Sequence, residues 1–229
     1  MPIGIIGAMA EEVSALIAKL DGAKTSATAG LTFHSGKLCG KDVVVVQSGI
    51  GKVNAAVCAQ LLISLHGAKH VINTGVAGGL AAELNIGDIV VSSELVQHDM
   101  DVTHFGYTRG VVPGIKKDFF AADETLRRHA LASGESIDAP VISGRIASGD
   151  CFVSDRKVKQ DISETFGAAC VEMEGAAIAH VCFLNSTPFV VIRAISDKAD
   201  ESATVSFNEF LDNAARNSAA LVEKMVTLL

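Results

Sequence analysis

Several runs of β-branched and apolar residues, IGII (3–6), VVVV (43–46), HVIN (70–73), IVV (89–91) and FVVI (189–192), do not alternate apolar with polar positions. A strand with one wet face alternates with period two, so runs like these predict strands covered on both sides. Between them lie segments of helical spacing: EEVSALIAKL (11–20), KVNAAVCAQLLISLHG (52–67), stretches near 122–133 and 155–166, GAAIAHVCFL (175–184), and a C-terminal run opening at FNEF. LTFHSGKL and DVVVVQSG, joined by CGK, predict a hairpin, and PVISGRIASGD (140–150) and AACVEM predict further strands. Helices that alternate with doubly covered strands give an α/β fold, a three-layer αβα sandwich around a mixed, mostly buried sheet. No Pro/Gly/Ser-rich linker, composition shift or repeat interrupts the 229 residues, so residues 1–229 read as one domain.

Composition narrows the partners. A formal net charge of −7 argues against a nucleic-acid backbone or an anionic membrane surface. Trp is absent and aromatics make up 5 %, which disfavours a base-stacking platform. The five cysteines include no CxxC pair and read as reduced core residues of a cytoplasmic protein. MPIGIIGAMAEE lacks the basic region of a signal peptide, and no run has the length of a membrane span. The seven histidines show no ligand spacing and read as surface or satisfied core residues, so neither metal nor organic cofactor is expected.

Chemistry collects where apolar runs end: GAMAEE (7–12), NTGVAGG (73–79), VEME (171–174) and RAISDKAD (193–200). Open α/β sheets bind ligands beyond the carboxyl ends of their strands, so these segments are expected to share one rim. GxGxxG, GxxxxGK[ST] and GxSxG are absent, which removes dinucleotide, P-loop and serine-hydrolase readings. Gly75, Gly78 and Gly79 either form a turn or let backbone amides approach a sugar or phosphate. Each acid alone has an ordinary explanation, Glu11 and Glu12 at a helix start and Asp197 and Asp200 in a solvated turn. Together, carboxylates beside Arg193 suit cleavage of a glycosidic bond through an oxocarbenium-like transition state.

GIIGAMAEEV, SGIGKVNAA, NTGVAGG, GDIVVS, HDMDVTHFGY, SGDCFV, VEMEGAAIAHVC and FVVIRAISDKAD, taken in order, resemble the bacterial methylthioadenosine/S-adenosylhomocysteine nucleosidases of the nucleoside phosphorylase/hydrolase superfamily. The resemblance runs from residue 3 to about residue 225 and implies a nucleoside phosphorylase-like fold. It implies Glu12 as a general base that activates water and stays ionised at a helix N-terminus, and Asp197 as a general acid toward purine N7. Glu174 would hold the vicinal ribose hydroxyls. Glu172 would either assist at the sugar or serve the structure. Met173 would pack on the ribose, Phe152 would stack on adenine, and Val153 would address the base through its backbone. Met9, Ile50 and Phe207 would line an apolar 5′-alkylthio pocket. Gly78 would lie against the sugar, with Ser196 among the substrate-binding residues and Arg193 positioning the acids or the water. Val76 departs from the serine of some relatives, which shifts water placement toward Glu12 and Arg193.

Two alternatives share the fold, a purine nucleoside phosphorylase and a non-catalytic nucleoside-binding protein. Glu11 and Glu12 would repel a phosphate nucleophile, and mere binding requires no separate acid and base. The segment MDVTHFGYTRGVVPG (100–114) carries apolar residues in a glycine-rich loop, the mark of an interface. A homodimer is expected, with Val102 and Phe105 reaching the neighbour's 5′ site as the resemblance implies.

Overall fold

The computed structural model describes residues 2–115 and 117–229. The non-alternating runs form β1 (Ile3–Gly7), β4 (Lys41–Gln47), β5 (His70–Gly79), β6 (Ile89–Gln97) and β10 (Phe189–Asp197). β1 and β10 are buried at every position. The expected hairpin joins β3 (Leu31–Leu38) to β4 through Cys39 and Gly40, whose φ values of 50° and 80° are those of a two-residue type I′ turn.

Two strands lie outside the sequence reading. β2 (Asp21–Thr28), DGAKTSAT, is exposed along its whole length and pairs with β3 at the sheet edge, so no hydrophobic pattern marks it. Its register comes from a second turn of the same kind, Ala29–Gly30. β7 (Phe119–Ala121) is three residues long and pairs antiparallel with β6.

The ten strands among the described residues belong to one mixed sheet, ordered β10-β6-β8-β9-β5-β1-β4-β3-β2 with β7 beside β6. β10 also pairs with β5, which closes β10, β6, β8 (Val141–Ser148), β9 (Cys170–Glu172) and β5 into a ring. β5 is the pivot. Along one edge it runs parallel to β10. Along the other it meets β1 at residues 70–73 and the antiparallel β9 at Gly78 and Gly79, while neither strand pairs with residues 74–77. The sheet is therefore split at that point.

Helices cover both faces. α1 (Ala10–Ile17), α3 (Glu124–Gly134) and α6 (Ala203–Leu228) enclose one apolar cluster with Ile5, Ile72 and Ile192. α2 (Lys52–Ser64) and α5 (Gly175–Leu184) enclose the other with Ile6, Val71 and Val191. α4 (Arg156–Phe166) starts at Asp155, whose carboxylate accepts from the Lys157 and Val158 amides, and ends at left-handed Gly167. No helix among the described residues is long and apolar enough to cross a membrane.

Two expectations about buried residues need correction. Cys58, Cys170 and Cys182 are core residues, but Cys39 and Cys151 are exposed, one in the hairpin turn and one beside the cleft described below. His98 is buried, and its Nε2 finds no hydrogen-bond partner among the described residues, so it is not a satisfied core histidine. Burial depresses its pKa, which keeps the ring neutral.

Candidate active site

The split in the sheet opens into a cleft. The four strand-end segments converge on it, although β9 arrives antiparallel to β5 and not from a common rim. Met9, Glu12, Ile50 and Gly78 line it together with Phe152, Val153 and Glu172. Met173, Glu174, Ser196, Asp197 and Phe207 complete the set of expected residues in its wall. Val76 lines it as well. Arg193 does not line the cleft but lies beneath it, 2 % exposed. Val102 and Phe105 are absent from the wall, Phe105 standing 81 % exposed at the end of a short 3-10 turn (Thr103–Phe105).

Glu12 occupies the third position of α1, where the helix start turns its side chain back over its own N-terminus. Its Oε2 accepts from the Ala8 amide at 2.6 Å and the Met9 amide at 2.9 Å. Oε1 accepts at 3.1 Å from the Val76 amide, an N–H that the split in the sheet leaves without a strand partner. Burial raises its pKa above the usual carboxylate value, opposed by the charge of Arg193 and by the three amides. The helix N-terminus thus does not depress this carboxyl as expected. Burial outweighs it, which moves Glu12 toward the range where a general base is effective.

Asp197 closes β10 opposite Gly78. Its Oδ1 accepts from the Ala199 amide at 2.8 Å and its Oδ2 from the Ser196 hydroxyl at 2.9 Å. Burial raises its pKa against both hydrogen bonds, the direction an acid needs. Gly78 is required by this approach, since a Cβ there would lie 2.8 Å from Asp197 Oδ1 and 2.9 Å from the Ala199 Cβ. Gly75 is similar, because its Cβ would collide with Glu12 Oε1 and come within 2.8 Å of Arg193 Nη1.

Glu172 and Glu174 have different environments. Glu172 accepts from Arg193 Nε at 3.1 Å, from Arg193 Nη2 and the Ser148 hydroxyl, and from the Glu174 and Gly175 amides. Its hydrogen-bonding capacity is spent on protein groups. Glu174 accepts from the Gly51 amide at 2.8 Å, and its Oε2 lies 3.8 Å from Arg193 Nη2. Burial, and then the charge of Glu172, push its pKa up to about 7, with Arg193 and the Gly51 amide opposing. Glu174 is therefore a buried carboxylate only partly satisfied by protein and facing an open cleft.

Comparison with known proteins places this arrangement. The sequence profile of the phosphorylase superfamily matches residues 2–227. A 5′-methylthioadenosine/S-adenosylhomocysteine nucleosidase of Geobacillus sp. (strain WCH70) is 46 % identical, the match covering 100 % of this chain and 99 % of the relative. The chain belongs to the phosphorylase superfamily. Among solved structures, the methylthioadenosine/S-adenosylhomocysteine nucleosidase of Neisseria meningitidis, in complex with methylthio-immucillin-A, superposes with a TM-score of 0.97 at 43 % identity. That superposition covers 100 % of this chain and 99 % of the other. Futalosine hydrolase of Helicobacter pylori strain 26695 superposes with a TM-score of 0.96 at 37 % identity, covering 100 % and 98 %.

As a phosphorylase-superfamily cleft, the site contains groups that the sequence reading did not single out. Asn73 Oδ1 accepts from Arg193 Nη2 at 2.6 Å, and Ser148 links Glu172 to the Ala176 amide at the start of α5. Both are buried polar residues, Asn73 within β5 and Ser148 at the end of β8, and their only sequence signal is a polar residue inside an apolar run. Cys151, Ala77 and Val171 also line the cleft.

The strain at Glu174 is measurable. A carboxyl whose folded pKa is raised makes the folded state the tighter proton binder, so its stability contribution is present below about pH 4.5 and is lost as pH rises through about 7. Glu174→Gln removes that titration and keeps an oxygen for the Gly51 amide. The substitution is expected to melt about 7 °C above wild type at pH 8, the equivalent of about 3 kcal/mol in a chain of this size. The two proteins should converge near pH 4.5. Scanning calorimetry at both pH values checks this, and equal melting at pH 8 would contradict the strained carboxylate.

Proposed function

We propose that the protein hydrolyses the N-glycosidic bond of 5′-methylthioadenosine and S-adenosylhomocysteine, with 5′-deoxyadenosine as a further substrate, to give adenine and the 5-substituted ribose. One observation carries the choice of water over phosphate. Among the described residues no lysine or arginine lines the cleft, and Arg193 beneath it is engaged by Glu172 and Asn73. A phosphate nucleophile would meet Glu12 and Glu174 with no cation to receive it. Incubation with methylthioadenosine should therefore release adenine and free methylthioribose at the same rate with or without phosphate. A phosphorylated sugar product, or strict dependence on phosphate, would overturn this reading.

In this reading the nucleoside lies along the split in the sheet. Asp197 protonates N7 with one oxygen and accepts from the 6-amino group with the other, so adenine leaves neutral. Glu12 takes a proton from water as it attacks the anomeric carbon. Glu174 accepts from the vicinal hydroxyls, completing the hydrogen bonding that protein leaves open, and its charge stabilises the ribosyl cation. Glu172 fixes Arg193 and the start of α5. Phe152 meets Phe207 edge-on with ring centroids 5.7 Å apart, an apolar wall between the base and the 5′ group. Met9 and Ile50 extend that wall. The futalosine hydrolase likeness makes futalosine a fourth candidate substrate, to be assayed beside the other three.

The reading includes one domain over the whole chain, a cytoplasmic location and a homodimer. Exposed Cys39 and Cys151, unpaired, suit a reducing compartment. Support for the dimer comes from exposed apolar residues on α2 (Val53, Val57), at the end of α5 (Phe183, Leu184) and at Phe105. Val102 and Phe105 would complete the neighbour's 5′ pocket across that face. Phe105→Asp is then expected to weaken dimerisation and to raise KM together, read by sedimentation and by adenine release. Full activity of a wild-type monomer at micromolar concentration would refute the shared pocket.

A further inference from the structure

Three motif fragments play no part in the mechanism above: Lys52 of SGIGK, Asp99 of HDMD, and Asp150 of SGDCFV. The fold brings them together. α2 begins at Gly51 without a side-chain cap of its own. Two carboxylates from elsewhere in the chain take its first amides, Glu174 the Gly51 N–H at 2.8 Å and Asp150 the Lys52 N–H at 2.7 Å. Lys52 Nζ pairs with Asp99 Oδ1 at 2.6 Å, and Asp99 Oδ2 accepts from the Asp150 amide at 3.0 Å. The circuit closes on itself, from Lys52 amide to Asp150, Asp150 amide to Asp99, and Asp99 back to the Lys52 ammonium. Gly51, the residue next to it, sits at φ 99° with its Cα hydrogens against Asp150, where a Cβ would lie 3.2 Å from Oδ1. The turn that presents the Gly51 amide is therefore held from outside by Asp150 and Asp99.

We propose that Asp150, backed by Asp99 and Lys52, is a positioning residue that holds the Gly51 amide on Glu174 and so sets the orientation of the ribose-binding carboxylate. The inference rests on the reading of Glu174 as the acceptor for the ribose diol. Of the two oxygens of Glu174, Oε1 is tied by Gly51 and Oε2 lies 3.8 Å from Arg193. The Gly51 amide is its one short hydrogen bond, so the position of that amide decides where the carboxylate presents its remaining lone pairs. Asp150 also immediately precedes Cys151, Phe152 and Val153 of the cleft wall, so the same residue ties the base-side wall to the sugar side.

The test compares kcat/KM for methylthioadenosine and its 2′-deoxy analogue. Asp150→Ala removes the acceptor from the Lys52 amide, and the preference for the ribose substrate is expected to fall about fivefold, the size of one lost helix cap. Asp150→Asn keeps an amide oxygen for that N–H and is expected to restore most of the preference. Asp99→Ala, which releases both Lys52 and the Asp150 amide, should reproduce the loss by a second route if Asp150→Ala folds poorly. A merely structural role would lower kcat/KM for both sugars alike and leave their ratio unchanged, which would overturn the proposal. Glu174→Gln separates the two levels of the argument. If it abolishes the preference while Asp150→Ala and Asp99→Ala retain it, the positioning role is wrong. If Glu174→Gln itself leaves the preference intact, the diol reading fails and the positioning role fails with it.

Discussion

Asp197→Asn is expected to keep the fold and lose about 10²–10⁴-fold in turnover, the usual range for a general acid. The amide is nearly isosteric, and its oxygen can still accept from the Ala199 amide or the Ser196 hydroxyl. It has no proton to deliver to N7, so adenine would have to leave as an anion. The raised pKa of Asp197 also sets a sign: activity in the wild type should fall as pH rises through that value, because the proton to be delivered is then absent. Single-turnover adenine release across pH checks both statements. A variant with near wild-type rate, or one that keeps the high-pH limb, would remove Asp197 from the chemistry.

Glu12→Gln should reduce turnover to a similar extent, about 10²–10⁴-fold, while binding survives. The carboxylate takes amides on both oxygens, Ala8 and Met9 on one and Val76 on the other. Glutamine offers one oxygen, so its NH₂ must face a donor. Some stability is lost together with the base, and a melting measurement belongs beside the kinetics. Wild-type activity should also fall as pH drops through the raised pKa of Glu12, since a protonated carboxyl cannot accept from water. The affinity of a non-hydrolysable 5′-methylthio nucleoside, by titration calorimetry, should change little. A large loss of affinity with unchanged turnover would assign Glu12 to binding.

Much of this was legible in the sequence because the covered strands carry their own signal. A run such as FVVI has no wet face to mark, and it forms the fully buried β10. β2 was not legible, since DGAKTSAT is exposed throughout and exists as a strand through its turn and its partner β3. The convergence of VEME and NTGVAGG was expected, but the antiparallel entry of β9 was not. Three residues carry no directional information, and the pairings of Cys170 with Gly79 and Val171 with Gly78, together with those to β8, fix it. The two acids of VEME, Glu172 and Glu174, are told apart only by environment. Glu172 finds Arg193 from 21 residues away, and Glu174 finds one amide and an open cleft. The ranking of burial over the helix N-terminus at Glu12 also needed the structure, because the sequence cannot tell how deeply a helix start is covered.

The split along β5 bears on how such a pocket can change over evolutionary time. Its two ends are set by main-chain pairing, Ile6 with Asn73 at one and Val171 with Gly78 at the other. Four residues of strand at about 3.3 Å each make a slot roughly 13 Å long. Side-chain substitution cannot lengthen or shorten that slot without slipping a strand and turning its residues to the opposite face. The spacing between Glu12, Glu174 and Asp197 is therefore a property of the backbone and resists drift. Met9, Ile50 and Phe207 are different, since they hang from a helix cap, a turn and α6 outside the ring. On the proposed reading these residues face the 5′ group, so descendants of this chain can exchange one 5′ substituent for another while the proposed adenine and ribose ends, set by the backbone, stay as they are.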